Sequence, residues 1–450
     1  MPDDATLASA IARYHELCND PQLAGPGVVE SFARAQADAG LTFGGVVQCR
    51  SLRPAFTTPA RLQLLRDAVA TMWRTFAQIE RRALGDAALA GELGLSAAER
   101  ELIAIEPGYA DATVVSRLDT FFNERPRVLE YNADSPAGMS YQAGQAALMQ
   151  ELPVFQRFAA EYPLANLRAD IALREVLLAV WREFAARSAA ARNRSIPTIA
   201  ILDLAGAATG AEFRLVQADF ERHAIPALIA TPEDLTFEEN ELRAFGRRID
   251  LVYKRLLVAD FLARYDLRHP LIRAYAAGAV CVASSFRCTI TQKKRALAVL
   301  WNPEHAHWFG DEERRAIQAL VPRTSALCGD ADREGEVLKP NDSHGGEGIV
   351  VGPACSPSEW AAELERLRSA DYVMQDYVTP ARGTYPIFDA AAPRNGVALQ
   401  SLVEDCNAYV FRGRLGGILT RLSAAAVINV SQGGQAIPTF VLEPRATRRP

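Results

Sequence analysis

Four polar residues at alternating positions carry the first chemical signal: Arg117 and Asp119 in one segment, Glu130 and Asn132 in the next. Both segments, 113–122 and 127–132, are rich in β-forming residues, and Asn123-Glu124-Arg125-Pro126 joins them. Side chains two apart on a strand share a face. An antiparallel hairpin turning at Glu124-Arg125 therefore sets Asp119 opposite Glu130 and Arg117 opposite Asn132, with Val114, Leu118 and Leu129 facing away. Like charges directly across a sheet cost roughly several tenths of a kcal/mol, so the pair needs compensation. Two readings supply it. Two carboxylates and an amide oxygen are hard ligands that suit Mg2+, with water and phosphate completing its shell and the arginine gripping the same phosphates. Alternatively, the hairpin is exposed and Arg117 neutralises the carboxylates in a surface ion-pair network.

The second signal is a scarcity. Of 49 basic residues only Lys254, Lys293, Lys294 and Lys339 are lysines, all between 254 and 339. Lysine offers a compact point charge where arginine offers a planar fork, which marks the retained lysines as candidates for a site; a solvated surface is the plain alternative. Lys339 comes late in a strand-like run and is followed by Gly345, Gly346 and Gly348 before a second strand. Glycines let backbone N–H groups approach phosphate oxygens, so the loop reads either as a nucleotide lid or as an ordinary flexible turn. It is not a P-loop, lacking GxxxxGK[ST] and a following helix, nor a dinucleotide fingerprint, since it runs from strand to strand. Lys293 and Lys294 open a predicted helix over 294–301, where a cation opposes the macrodipole unless an anion binds. Residues 371–378 (DYVMQDYV) read as a strand whose backbone can meet an adenine edge, or as a core strand.

The elements that must hold these residues follow from periodicity. Residues 1–100 read as mostly helical, with apolar spacing over 62–84 and a capping box at Ser96 and Glu99. Helices are predicted over 140–158 and 170–188, then a linker at Ser195-Ile196-Pro197. Strand 198–204, helix 211–223 and strand 225–229 form a βαβ unit with parallel strands, and 249–257 adds a further strand. From about 331 the texture is strand, glycine loop, strand, helix 358–369 and strand 371–378. The last seventy residues read as β-rich, ending in a basic, unstructured tail at 445–450.

Taken in order, these segments resemble the glutathionylspermidine synthetase family. The likeness rests on Arg117-x-Asp119 with Leu-Glu130-Tyr-Asn132-Ala-Asp-Ser-Pro, on Gln-Lys-Lys294-Arg-Ala-Leu-Ala-Val-Leu-Trp301, and on Val-Leu-Lys339-Pro with Gly345-Gly-Glu-Gly348. It continues through Val-Met-Gln375-Asp376-Tyr377, and Arg421-Leu-Ser followed by Asn429-Val-Ser-Gln432-Gly433-Gly is similar to the closing segment of the circularly permuted ATP-grasp group. The permutation is the order itself, metal segment before nucleotide lysines. The resemblance implies an α/β (α+β) fold: a circularly permuted ATP-grasp with a βαβ pre-ATP-grasp-like domain and a helical N-terminal region. It further implies ATP with Mg2+ and ligation of a carboxylate to an amine through an acyl phosphate. Asp119, Glu130 and Asn132 would hold Mg2+, Arg117 would stabilise the transferring phosphoryl, and Lys293 or Lys294 together with Lys339 would contact phosphates. Gly345, Gly346 and Gly348 would form the lid, and Gln375, Asp376 and Tyr377 would meet the adenine. Candidate substrate contacts are Ser135, Ser140, Arg412 and Arg421. The expected organisation is a helical region 1–110, the metal hairpin and helices 111–190, the βαβ domain 191–285, the lysine helix and lid 286–380, and a β-rich remainder 381–450. The length leaves no room for the amidase domain of some bifunctional members.

Composition narrows the classes further. Apolar residues make up 49% and charged residues 23%, which excludes wholesale disorder. A net charge of −5 argues against a broadly basic nucleic-acid surface. The longest uncharged run, 422–442, is interrupted by polar residues and Pro438, so no membrane span is expected, and residues 1–6 do not read as a signal peptide. Seven scattered cysteines without a CxxC suggest reduced thiols and a cytoplasmic setting. No GxSxG, HExxH or Cys–His pair points to nucleophilic or zinc chemistry. The partners expected are a small-molecule or peptide carboxylate and an amine. Two other readings stand beside the ligase: a non-catalytic ATP-binding scaffold, and a phosphotransferase with a non-carboxylate acceptor. ATP turnover separates the first, and a stable phosphorylated product without an amide marks the second.

Overall fold

The computed structural model describes residues 2–188, 191, 194–329, 331–425, 428, 430 and 433–444. The tail 445–450, and Asn429 and Gln432 of the closing segment, lie outside the described residues.

The fold is α+β. Its largest sheet runs in the order Ala55–Thr57, Gln435–Leu442, Arg414–Ser423, Val397–Phe411, Val115–Phe122, Pro126–Asn132. Ala381–Phe388 also pairs with Val397–Phe411, and Leu164–Asn166 with Gln435–Leu442. The hairpin at 115–132 is thus joined edge to edge with strands almost three hundred residues later, and a strand from the mostly helical N-terminal region closes the far side. Helix Pro59–Ala83 covers this sheet. Thr58 caps it by accepting from the Arg61 N–H, and Pro59 starts it where a missing N–H costs nothing. Its apolar positions, Leu62, Leu65, Val69, Met72, Phe76 and Ile79, recur every three or four residues and pack on Leu118, Val128 and Tyr131. Phe76 stacks on Tyr131 at 4.1 Å between ring centres.

The second sheet is parallel, in the order Cys281–Ala283, Leu251–Lys254, Ile199–Leu202, Ala227–Ala230. Helix Gly210–Arg222 makes the crossover between two of its strands, which is the βαβ unit expected from periodicity. The four residues of Ile199–Leu202 are all buried, the continuous apolar signature of a strand covered on both faces. A third, antiparallel sheet holds Thr324–Ala326, Tyr372–Asp376, Glu336–Pro340 and Val350–Val351.

Two helices differ from expectation. The stretch 140–158 is two helices, Met139–Gln150 and Pro153–Ala159, because Pro153 has no N–H to continue the first and so begins the second. The lysine helix expected over 294–301 is also broken. Thr289–Gln292 ends at Lys293, whose backbone is extended, and Lys294 is the N-cap of a five-residue helix, Arg295–Val299. Such a helix is too short for the macrodipole argument to bear on anion binding. The capping box at Ser96 and Glu99 forms as read. All seven cysteines are unpaired. Among the described residues no helix is long and apolar enough to cross a membrane.

Candidate functional site

In the hairpin, Arg117 pairs with Asn132 and Asp119 with Glu130, the arrangement drawn from the spacing. One residue further the register slips, Thr120 facing Val128, which leaves Leu129 as the extra residue of a bulge. Leu129 therefore does not turn away with Val114 and Leu118. Those two are buried in the core, whereas Leu129 lines a cleft beside Glu130. Nor is the hairpin an exposed surface: Asp119 retains only 5% of its accessible area.

An ion-pair network does exist there, and it is buried. Arg117 donates to both oxygens of Asp119, at 2.6 and 2.9 Å. Arg421 donates from one nitrogen to Asp119 at 2.8 Å and from another to Asp405 at 2.8 Å. Asn407, opposite Asp119 in the sheet, donates to Asp405 at 2.6 Å. Burial pushes the Asp119 carboxyl up, but the guanidiniums of Arg117 and Arg421 outweigh it and hold the group below the usual carboxylate range. For Asp405 burial wins over Arg421, and Asp119 adds to it, so that carboxyl is raised. Arg421, expected to touch substrate, lines the cleft with its charge already engaged by two carboxylates. Asp405 and Asn407 were missed by motif. The signal that could have found them is the same alternation as Glu130-x-Asn132, repeated at Asp405-x-Asn407.

The lysine strand closes on this network. Lys339 is buried and donates to the Leu129 carbonyl at 3.0 Å and to the Gln375 side chain at 2.6 Å. Burial lowers its pKa to about 8, with Lys294 adding to the fall and Glu130 opposing it. Gln375 in turn donates to the Thr324 hydroxyl at 3.0 Å, so its side chain holds Lys339 rather than pointing freely at a base. The N–H groups of Asp376 and Tyr377 are spent on the carbonyls of Arg323 and Gly335, although Gln375, Asp376 and Tyr377 all line the cleft. Gly345 and Gly346 line it as well, both at positive φ; Gly348 does not and sits under Pro340 and the Tyr372 hydroxyl.

The adjacent lysines separate. Lys294 lies 3.5 Å from Glu130, which lines the cleft, and donates to the Ser343 carbonyl, although it is not itself part of the lining. Lys293 is paired with Glu99 and Asp342 and faces away from it. Three expected substrate contacts fall outside the cleft lining. The Ser135 hydroxyl donates to the Lys254 carbonyl at 2.9 Å, and the Ser140 N–H donates to Glu212 at 3.1 Å. Arg412 occupies a strand turn and binds Asp111 and Glu183, a structural clamp. The chain instead presents Gly138, Tyr141 and Thr209 to the cleft. Gly138 is required at its place. Its φ is +105°, and a Cβ there would stand 2.4 Å from the Tyr409 hydroxyl.

One cleft thus brings together Arg117, Asp119, Glu130, Asn132, Lys339 and the glycine loop. Among the described residues no three His, Cys, Asp or Glu side chains form an ion cage. The side-chain oxygens of Glu130 and Asn132 are hard donors of the kind a divalent cation takes, with Glu130 3.5 Å from Lys294 and near enough to Lys339 to raise its pKa.

No protein-family model matches the chain. An uncharacterized protein of Mycobacterium tuberculosis is 28% identical over 376 residues, covering 77% of this chain and 64% of that protein. This chain therefore spans about 64% of the length of the curated mycobacterial relatives it matches there. A Frankia casuarinae protein named "Putative glutamate--cysteine ligase 2-2" is 25% identical over 346 residues, covering 70% of this chain and 36% of that protein. Among solved structures, a glutathione synthetase-like effector from Globodera pallida, in its apo form, superposes with a TM-score of 0.59 over 94% of this chain and 98% of that one, at 14% identity. The chain shares that protein's fold.

Proposed function

We propose that the protein is an ATP-dependent ligase that joins a carboxylate to an amine through an acyl phosphate on an ATP-grasp scaffold. The observation that carries this reading is the contact of Lys339 with the hairpin. Its ammonium, on a strand of one sheet, bonds the carbonyl beside Glu130 on a strand of another, in a cleft that also holds Arg117, Asp119 and Asn132. Phosphoryl transfer asks the protein mainly to position groups and offset developing charge, and this cleft gathers cations and hard oxygens rather than a nucleophile. The ligase name of a distant relative and the glutathione synthetase-like fold support the same class.

Glu130, Asn132 and Asp119 would hold Mg2+, with Arg117 and Arg421 remaining bonded to Asp119. Held there, Mg2+ would supply positive charge that offsets the negative charge of the phosphates. Lys294 and Lys339 bind phosphate oxygens from the opposite side. Arg117 offsets charge on the transferring group. The glycine loop, closing over them, keeps water from the acyl phosphate until the amine takes the acyl group and phosphate leaves.

Phosphate release is the assay, run over pooled carboxylic acids crossed with amines and followed by mass spectrometry of the product. Amine-dependent release and an amide product are expected, with at least a hundredfold loss in Lys339→Ala and in Asp119→Asn. Unchanged turnover in both variants refutes the assignment.

A further inference from the structure

Besides Arg117 and Asp119, the cleft is lined by Gln48, Gly138, Tyr141, Thr209, Ile428 and Val430, and the part these six line is called the recess below. These residues come from four stretches with a shared peculiarity. Residues 39–49, 135–150, 204–211 and 422–442 contain no Asp, Glu, Lys, Arg or His, in a chain of which 23% is charged. Separate parts of the sequence, each cleared of charge, meet at one place.

Of the ionisable groups that border these stretches, Glu212, Asp134 and Arg421 are engaged with other residues, and burial raises the Asp203 carboxyl, which accepts from the Leu204 N–H. Glu212 accepts from the N–H groups of Gly138 and Ser140 at 2.9 and 3.1 Å and faces Arg255. Asp134 is paired with Lys254 and accepts from the Val258 N–H. Arg117 and Arg421 are held by Asp119 and Asp405. The one titratable group in the wall, the Tyr141 hydroxyl, is pushed up to about 12, first by burial and then by Glu212, so it is neutral near pH 7. What the wall does offer is neutral polarity. The Gln48 amide nitrogen is buried without a protein partner, and the Thr209 side chain makes no capping bond at the start of helix Gly210–Arg222.

A second ammonium or carboxylate brought into such a wall loses its water and gains no counter-charge, a cost of several kcal/mol for an ion. An amide loses less and recovers it in hydrogen bonds. We propose that this recess receives an uncharged, amide-bearing portion of the substrate, such as the body of an N-acylated amino acid or an amino-acid amide, and rejects polyamines and dicarboxylic acids. The proposal rests on the ligase reading for which end of the substrate reacts, but its test reads binding alone.

Saturation-transfer NMR on the full chain compares three probes at equal concentration: N-acetylalaninamide, spermidine and glutarate. The amide is expected to bind at least tenfold more tightly than either ion, and to weaken at least fivefold in Gln48→Ala. Thr209→Asp places a carboxylate in the wall at an N-cap, where aspartate is preferred, so folding is preserved. Spermidine is expected to gain at least fivefold in that variant. Binding of spermidine or glutarate to the unaltered chain as tightly as the amide overturns the proposal. So does failure of the amide to bind, or indifference of the three affinities to both substitutions. Selective amide binding without phosphate release under any acid and amine overturns the ligase reading alone. Phosphate release that requires spermidine overturns the recess alone.

Discussion

Lys339 shows how burial turns a common residue into a poised one. An ammonium with a pKa near 8 is still mostly charged at pH 7, yet it sheds its proton within the range where most lysines remain cationic. The sign of the consequence follows. Its folded value lies below the ordinary one, so the group binds phosphate in the charged form below about pH 8 and loses that form above it. A bound polyphosphate would favour the charged form and carry the transition upward. The kcat/KM for ATP, which reports the free protein, is therefore expected to fall as pH rises through about 8, while kcat holds to higher pH. In Lys339→Arg that alkaline limb should vanish even though the rate drops, because a guanidinium does not titrate there. A wild-type profile flat to pH 9.5 contradicts the role. Lysine depletion flagged this residue in advance. Its bonds were not legible: Gln375, expected at an adenine, instead holds Lys339 from the neighbouring strand, and the Leu129 carbonyl reaches it from a separate sheet.

At the scale of elements, what could be read was what alternates or repeats locally. The hairpin register at Arg117 and Asp119 was legible because period two leaves little freedom once the turn is placed, and the βαβ unit because its strands are short apolar runs around an amphipathic helix. The bulge at Leu129 and the break at Lys293 were not, since neither has a residue such as Pro to announce it. Glu80 belongs to this scale. It sits on the inner face of helix Pro59–Ala83 and accepts from the hydroxyls of Thr113 and Thr291, at 2.7 and 2.8 Å, tying that helix to the hairpin and the lysine segment. Burial raises its pKa from 4.5 to about 7, against the two hydroxyls. The folded chain thus holds a proton here that the unfolded chain releases between pH 4.5 and 7, so this group's contribution to stability falls as pH rises through that window. At about 1.4 kcal/mol for each tenfold change in proton affinity, the ionised form costs on the order of 3 kcal/mol by pH 8. Glu80→Gln keeps an acceptor for the threonines and removes the charge. Its midpoint of thermal unfolding is expected to exceed that of the unaltered chain at pH 8 and to match it at pH 5; a constant difference at both pH values rules the titration out.

For the molecule as a whole, the question is what keeps the parallel sheet in register with the cleft. The joint is Lys254 with Asp134, both fully buried. Asp134 leaves the hairpin and accepts from the Val258 N–H at 2.8 Å, and its own N–H donates to Gln292 at 2.9 Å, next to Lys293. One residue therefore links the large sheet, the parallel sheet and the lysine segment, through its carboxylate to the second and its backbone N–H to the third. Residues 120 apart in sequence gave no hint of each other, although the scarcity of lysine had marked one of them. Removing one member of a buried pair strands the other charge and costs about 3–5 kcal/mol, whereas neutralising both costs much less. Lys254→Met is accordingly expected to lower unfolding free energy by about 3–5 kcal/mol in denaturant titration. Adding Asp134→Asn, which still accepts from Val258, should recover at least half of that loss. If the double variant is instead less stable than Lys254→Met, the pair is not the joint and the sheets are held by their apolar contacts. Nucleotide affinity offers a second check at the same scale. Because Gln292 lies two residues before Lys294, which stands beside Glu130, ATP binding should weaken in Lys254→Met and return with the second substitution, a pattern that lost packing alone would not produce.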